Sequence, residues 1–335
     1  MILTLRALGV GDLTTATPAL RALRTTHPHE ELALAAPHWL TPLVDLIGGI
    51  DTLLDTPGLG PIPWTGPPPH LAVNLHGHGP QSHHMLAHTR PDRLLAYTNP
   101  DAGHHDGPHW RDDEHEIHRW CRLLNWYDIP TDPTDLTLHR PPPDGLPTGV
   151  SIVHPGAKAS ARRWPPARFA AVARELNRRG HRVVVTGTPG ERAIAVEVAR
   201  GAGLPDTAVL AGETGIGELA ALVAHGRLVV SGDTGIGHLA TAYGTPSVLL
   251  FGPVSPALWG PPPGRPRHQA LWAGPVAGRA DAVPHPALAA LDVPDVLAAV
   301  DRAERGAADG RVPAARAGWS AAPSREARHP TFTDR

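Results

Sequence analysis

Two rhythms of apolar and polar positions alternate along this chain. Short apolar runs at ILTLRAL (residues 2–8), ELALAAP (31–37), DTLLD (51–55), HLAVNLHG (70–77) and RLLAYTNP (93–100) predict strands. Between them, apolar residues recur three and four apart. Ala16, Ala19, Leu20 and Leu23 share one face of a helix through TPALRALRTTHP, and Pro18 suits its first turn. WLTPLVDLIGG (39–49) and EHEIHRWCRLLNWYD (114–128) read as further helices. Strands alternating with helices predict a mostly parallel sheet covered on both faces.

The rhythm stops at HRPPPDGLPTG (139–149), a proline-rich linker, and then restarts. SIVHPGA (151–157), HRVVVTG (181–187), AVLAG (208–212), RLVVSGD (227–233) and SVLLFGP (247–253) predict strands. PARFAAVARELNRRG (166–180) is a helix with Phe169, Val172, Ala173 and Leu176 on one face and Gly180 at its end. ERAIAVEVARGAG, GELAALVAHG, GHLATAYG and VPDVLAAVDRAERG complete the helices. The expected organisation is two Rossmann-like domains, residues 1–145 and 146–305, joined by a proline hinge. Residues 306–335 carry no apolar period and read as a flexible tail.

Composition narrows the field. A chain of 335 residues can bury two ordinary α/β cores. A formal net charge of −2 points away from nucleic acid or an anionic membrane as the main partner. Cys121 is the single cysteine, which fits a reducing cytoplasm. No signal-peptide pattern follows Met1, and no apolar run reaches the roughly 18 residues of a spanning helix. A cytoplasmic protein is expected. The 39 prolines and 35 glycines fall mainly between periodic segments, as punctuation.

Chemistry is expected in the loops at the carboxyl ends of the strands, where open parallel sheets bind ligands. SGDTGIGHLA (231–240) places Gly232, Gly235 and Gly237 where a strand hands over to a helix. Glycines there allow close backbone approach, and the helix's unpaired N–H groups favour a phosphate. The same loop also reads as a plain turn capped by Asp233 or Thr234. GVGDLTT (9–15) begins like a dinucleotide fingerprint, but Thr14 stands where the third glycine belongs. Glu30 and Glu31 start the next strand, whereas a ribose-binding acid belongs at its end. What remains is Asp12, either a general base at the domain mouth or a helix cap. In HPGAKASARRWPPARF (154–169), Lys158, Arg162 and Arg163 could neutralise a diphosphate, and Trp164 reads as a packing anchor.

In order and spacing these loops resemble glycosyltransferase family 9, the lipopolysaccharide heptosyltransferase family, over roughly Met1 to Val300. The matching stretches are GVGDLTTATPALRALR, HPGAKASARRWPPARFAAVARELNRRGHRVVVTG and VVSGDTGIGHLATAYGTPSVLLFGP. HLAVNLHGHGP and EHEIHRWCRLL look similar to segments of the family's acceptor domain. The resemblance implies a GT-B fold and inverting transfer of a sugar, heptose in the best-known members, from a nucleotide diphosphate donor, with an ADP-sugar favoured. The acceptor would be a carbohydrate or glycoconjugate. It implies Asp12 as base and Arg162 as the group that stabilises the departing phosphate. Lys158, Asp233, Thr234, Gly235 and His238 would hold the diphosphate. The TGTPGE turn, with Thr186, Gly187 and Glu191, would contact the nucleotide, Glu191 at the ribose. Gly11, Thr14 and His76 would lie on the acceptor side.

Helix N-termini and cations can balance a diphosphate, and no D-x-D pair stands beside the phosphate loops. No metal and no resident cofactor are therefore expected. The family's lipopolysaccharide members work at the inner membrane face, which leaves room for peripheral membrane contact, although no amphipathic basic segment is evident. Four other readings compete. A GT-B nucleotide-sugar epimerase would use the same donor cleft, and a sugar-nucleotide sensor would need no base. A nicotinamide-dependent oxidoreductase shares the two-domain pattern but lacks its fingerprint. A zinc hydrolase could draw on HGHGPQSHH and HHDGPHWRDDEHEIH, yet no H-E-x-x-H occurs among the 22 histidines.

Overall fold

The computed structural model describes residues 1–275 and 283–309. In the first half, β1 (Ile2–Leu5) is followed by α1 (Val10–Thr15) and α2 (Thr17–Thr26), and β2 (Leu32–Ala36) by α3 (Thr41–Ile47). Then come β3 (Thr52–Asp55), β4 (Leu71–Asn74), α4 (Gln81–Ala87), β5 (Arg93–Leu95) and α5 (Glu116–Trp126). These strands form a parallel five-stranded sheet in the order β3-β2-β1-β4-β5.

In the second half, β6 (Ser151–His154), α6 (Pro166–Arg178), β7 (Val183–Val185), α7 (Arg192–Ala202) and α8 (Ile216–Ala224) follow the linker. The chain continues through β8 (Leu228–Gly232), α9 (Gly235–Tyr243), β9 (Ser247–Phe251) and α10 (Pro256–Trp259). β10 (His268–Trp272), α11 (Pro286–Ala289) and α12 (Val293–Asp309) complete it. The second sheet is also parallel and five-stranded, in the order β10-β9-β8-β6-β7. Every residue of β1, β2, β4, β6, β7, β8 and β9 is buried, which explains why they are mostly apolar with no polar alternation.

Several elements depart from expectation. β1 stops at Leu5, because Leu8 N–H donates to the Arg6 carbonyl (2.9 Å) and turns the chain. The glycine loop after it is a six-residue helix, α1, separated from α2 at Ala16. AVLAG makes one bridge, Val185 to Val209, instead of a strand. Helix α4 reads QSHHMLA, whose polar residues hide the period, and β10 is a strand with a partly exposed face. α12 runs three residues past the expected end, to Asp309, and the tail from 310 onward lies outside the described residues.

The proline linker is docked. Arg140 donates to the Ala224 carbonyl and lies over the Tyr243 ring, and His225 Nε2 pairs with the Pro141 carbonyl at 2.8 Å. One buried apolar cluster continues from α1–α3 into α8 and α9, where a β-carbon on Gly217 would stand 3.1 Å from Pro42 Cβ. A second core lies under α6, α7 and α12. At its edge Trp164 is fully buried, edge-on to Phe169 at 5.1 Å, and its indole N–H donates to the Leu291 carbonyl (3.1 Å). Trp164→Ala should therefore destabilise the fold by about 3–5 kcal/mol in urea titration, the cost of a large buried aromatic.

Three buried histidines tie strands together from the side. His268 Nδ1 meets Ser247 Oγ (2.9 Å), His181 Nδ1 meets Ser151 Oγ (2.7 Å) and His154 Nδ1 meets Thr186 Oγ1 (3.0 Å). Burial lowers the pKa of all three, that of His268 to about 3. The unfolded chain, with histidines near 6.5, then binds more protons than the folded one below that pH. Stability should be level above pH 6.5 and fall as the pH drops from 6.5 toward the folded values. His268→Gln should flatten that fall, measured as melting temperature against pH above 4.5, where unperturbed glutamates stay ionised; a parallel curve would remove His268 from the account.

Candidate functional site

The two strand orders determine where ligands can enter. Strand order reverses between β1 and β4 in the first sheet and between β6 and β8 in the second. Such switch points splay adjacent loops apart and open a crevice at the strands' carboxyl ends. The loop after β1 carries Asp12 and that after β4 carries His76. The loop after β6 carries Lys158 and Arg162, and that after β8 carries Asp233 and Thr234.

Backbone contact joins the two halves here. A β-carbon on Gly11 would stand 2.8 Å from His238 Cδ2 and 3.7 Å from Gly235 Cα. One on Gly235 would stand 2.7 Å from Val10 Cβ and 3.2 Å from the Gly11 nitrogen. The starts of α1 and α9 therefore abut, with Asp12 and Thr234 each one residue from the contact. Glycine is needed for lack of bulk at both positions, since neither has a positive φ.

Asp12 sits in the first turn of α1, with Oδ2 accepting from Gly9 N–H (3.1 Å). It is thus a helix-capping residue that also keeps its side chain 30% exposed. On its inner side lies Arg6, fully buried, whose Nη2 is 3.6 Å from Asp12 Oδ1. His76 and His238 flank it. Burial brings the pKa of each down to about 4; for His76 the Arg6 charge adds to this, and for both the Asp12 charge opposes it. Two neutral imidazoles thus border the carboxylate at neutral pH.

On the other side, Arg162 Nη1 lies 3.3 Å from Asp233 Oδ2, with Asp233 largely buried. Burial raises the Asp233 carboxyl pKa and the Arg162 charge works against that rise. The Asp233 amide donates to the Leu250 carbonyl (3.0 Å), so this residue turns the chain and holds Arg162. Thr234 is the N-cap residue of α9, and its Oγ1 is buried with no hydrogen-bond partner among the described residues. Below it the first amides of α9 carry the positive end of the helix dipole, that of Gly237 already donating to the Thr234 carbonyl (3.0 Å). In the loop after β6 Lys158 is exposed, while Arg163 turns back onto the Ala157 carbonyl (2.9 Å).

Glu191 closes the third side. A β-carbon on Gly156 would fall 2.2 Å from Glu191 Cδ, so the carboxylate lies directly across the turn after β6. Glu191 Oε2 accepts from Thr188 N–H (2.8 Å) and Thr188 Oγ1 (2.9 Å). The Gly187 carbonyl accepts from Gly212 N–H (2.9 Å). Two expected site residues use their hydroxyls internally. Thr14 Oγ1 donates to the Val10 carbonyl (2.7 Å) within α1, and the Thr186 hydroxyl is the buried partner of His154. Neither residue offers its side chain to the crevice.

Other residues were not singled out from sequence. Arg6 and Glu116 form a buried ion pair at 2.8 Å beneath Asp12. A charged residue interrupting the apolar run ILTLRAL just before a glycine loop was the available signal. His115, weighed as a metal ligand, caps α5 through Nδ1 (3.2 Å from Ile117 N) and reaches the Gly260 carbonyl through Nε2 (2.9 Å). Both ring nitrogens are thereby occupied. Among the described residues no group of three or more His, Cys, Asp or Glu could hold a metal ion.

Known proteins resemble this chain in sequence and fold. Residues 113–277 fit the family model described as glycosyltransferase family 9 (heptosyltransferase). That stretch contains the Lys158–Arg162 loop, Glu191 and the Asp233–His238 loop, and begins after Asp12. Lipopolysaccharide heptosyltransferase 3 of Escherichia coli is 32% identical over 119 residues, which span 35% of this chain and 35% of that protein. The fold is shared more widely than the sequence. An E. coli ADP-heptose lipopolysaccharide heptosyltransferase II superposes with a TM-score of 0.73 and 19% identity, over 91% of this chain and 98% of its own. A family 9 glycosyltransferase from Veillonella parvula gives 0.72 and 20%, over 92% and 97%. The fold is GT-B, and residues 113–277 are similar to glycosyltransferase family 9.

Proposed function

We propose that this protein transfers a sugar, heptose from an ADP-linked donor being favoured, to a hydroxyl of a carbohydrate or glycoconjugate acceptor, with inversion. The observation that carries this reading is the abutment of Gly11 and Gly235. It brings the part-exposed carboxylate of Asp12 to the N-terminus of a nine-residue helix that has a cation, Arg162, at its side. Residues 1–145 would then take the acceptor and residues 146–305 the donor. The E. coli relatives named above are heptosyltransferases, one of them acting with ADP-heptose, which favours that donor here.

In this mechanism Asp12 accepts the proton of the acceptor hydroxyl as its oxygen attacks the anomeric carbon. The bond from that carbon to the diphosphate oxygen breaks, and its electron pair leaves with the nucleoside diphosphate. A single displacement inverts the centre. The charge gained by the leaving group is met by the first-turn amides and Thr234 hydroxyl of α9, with Arg162 and Lys158 alongside. This balance asks for no metal. Asp233 keeps the Arg162 fork aimed, and neutral His76 and His238 offer hydrogen bonds without competing for the proton. Glu191, beside the turn after β6, suits a ribose hydroxyl. Among the described residues no helix is long and apolar enough to cross a membrane.

Asp12→Asn should abolish transfer and leave ADP affinity within about threefold, because the lost group acts only on the acceptor proton. Sugar transfer by this variant at the wild-type rate would remove Asp12 as base. Arg162→Ala should weaken both ADP binding, read by calorimetry, and turnover, each by about 10–100-fold, the worth of one charge-assisted contact. In a thermal-shift panel, ADP and ADP-sugars should raise the melting temperature more than UDP, GDP or NAD at equal concentration.

A further inference from the structure

Arg6 is fully buried one residue beyond β1, and each part of its fork is in use. Nε donates to the Asp12 carbonyl (3.0 Å), Nη1 to the Leu75 carbonyl, and Nη2 to Glu116 Oε1 (2.8 Å). The guanidinium also faces the Trp120 ring at 4.7 Å. Glu116, itself buried in the first turn of α5, accepts further from Trp120 Nε1 (2.8 Å) and from Arg119. Arg6 and Arg119 therefore share two carboxylates, Glu116 and Asp12, in a cluster without net charge. A leucine at position 6 would extend the apolar strand with no desolvation cost, so packing alone does not call for arginine.

We propose that Arg6 is a positioning residue for Asp12, and that Glu116 holds Arg6 in place for that task. This rests on the reading of Asp12 as base. The same guanidinium grips Asp12 at its main-chain oxygen and faces its side chain at 3.6 Å, while Gly9 N–H holds the other carboxylate oxygen. Both oxygens are thus oriented from behind, leaving the outward lone pairs for a substrate proton. Through Leu75 the same group fixes the end of β4, next to His76, and through Glu116 the start of α5. A base held this way keeps its attack geometry as the acceptor binds, and displacement of about 1 Å in such a group can cost 100-fold in rate.

The test uses full-length protein. Arg6→Met should lower kcat about 10–100-fold while ADP affinity, read by calorimetry, stays within about threefold. Arg6→Lys, which keeps a charge and donors in the same place, should recover part of the lost kcat. Should Arg6→Met fail to fold, the charge-neutral double variant Arg6→Met/Glu116→Gln should fold and show the same split between kcat and ADP affinity. A wild-type kcat in Arg6→Met or in the double variant overturns the proposal, as does a loss of ADP affinity in step with kcat. A lowered kcat in Arg6→Met together with full activity in Asp12→Asn would instead overturn the assignment of Asp12 as base.

Discussion

Two helix starts cannot meet at backbone distance unless both lack a β-carbon at the point of contact. Gly11 and Gly235 meet that condition, and a methyl on either would collide with Val10 or the His238 ring. The contact sets the width of the crevice between the sheets. It also brings together two like partial charges, because α1 and α9 present their N-terminal ends to the same space. Acids offset that repulsion locally: Asp12 lies in the first turn of α1 and Asp233 directly precedes Thr234 at the head of α9. On the α9 side Asp233 is in turn paired with Arg162.

The electrostatics of the crevice are consequently asymmetric. The first-sheet side presents a carboxylate bordered by His76, and the second-sheet side presents amides, a hydroxyl and a guanidinium. His238, from α9, reaches across to the carboxylate side, which makes it the residue most sensitive to how the two sheets sit together. Its low pKa, caused chiefly by burial, keeps that reach uncharged. A protonated imidazole there would pair with the Asp12 carboxylate.

Much of the arrangement was legible in the order of apolar runs and glycine loops. Parallel strands covered on both faces are mostly apolar, so seven strands announced themselves without alternation. The loops after β1, β6 and β8 were visible because glycine and charge coincide where a strand ends. Less could be read where polarity masked periodicity, as in α4, or where one residue serves two purposes. Asp12 was open between cap and base, and the structure shows capping and exposure together. Thr14 and Thr186 looked available because sequence does not reveal where a hydroxyl points, and both turn inward. The linker read as a hinge from its prolines, but Arg140 and His225 pin it against α8. Nothing local in the sequence pairs Arg6 with Glu116, which are 110 residues apart.

That distant pair bears on how stability and chemistry are balanced in the first sheet. An arginine buried at the end of β1 is tolerated only because Glu116 arrives from α5 with a matching charge, and Glu116 is itself tolerated only because Arg119 and Trp120 satisfy its remaining acceptor sites. An all-apolar version of this corner would fold with fewer conditions. It would also leave Gly9 N–H as the donor that meets the Asp12 carboxylate, with Thr15 Oγ1 on its main-chain oxygen (2.9 Å). The polar cluster therefore makes most sense as a support built outward from the carboxylate: local folding rules are broken at Arg6, and the gain appears one layer up, in the fixed direction of Asp12.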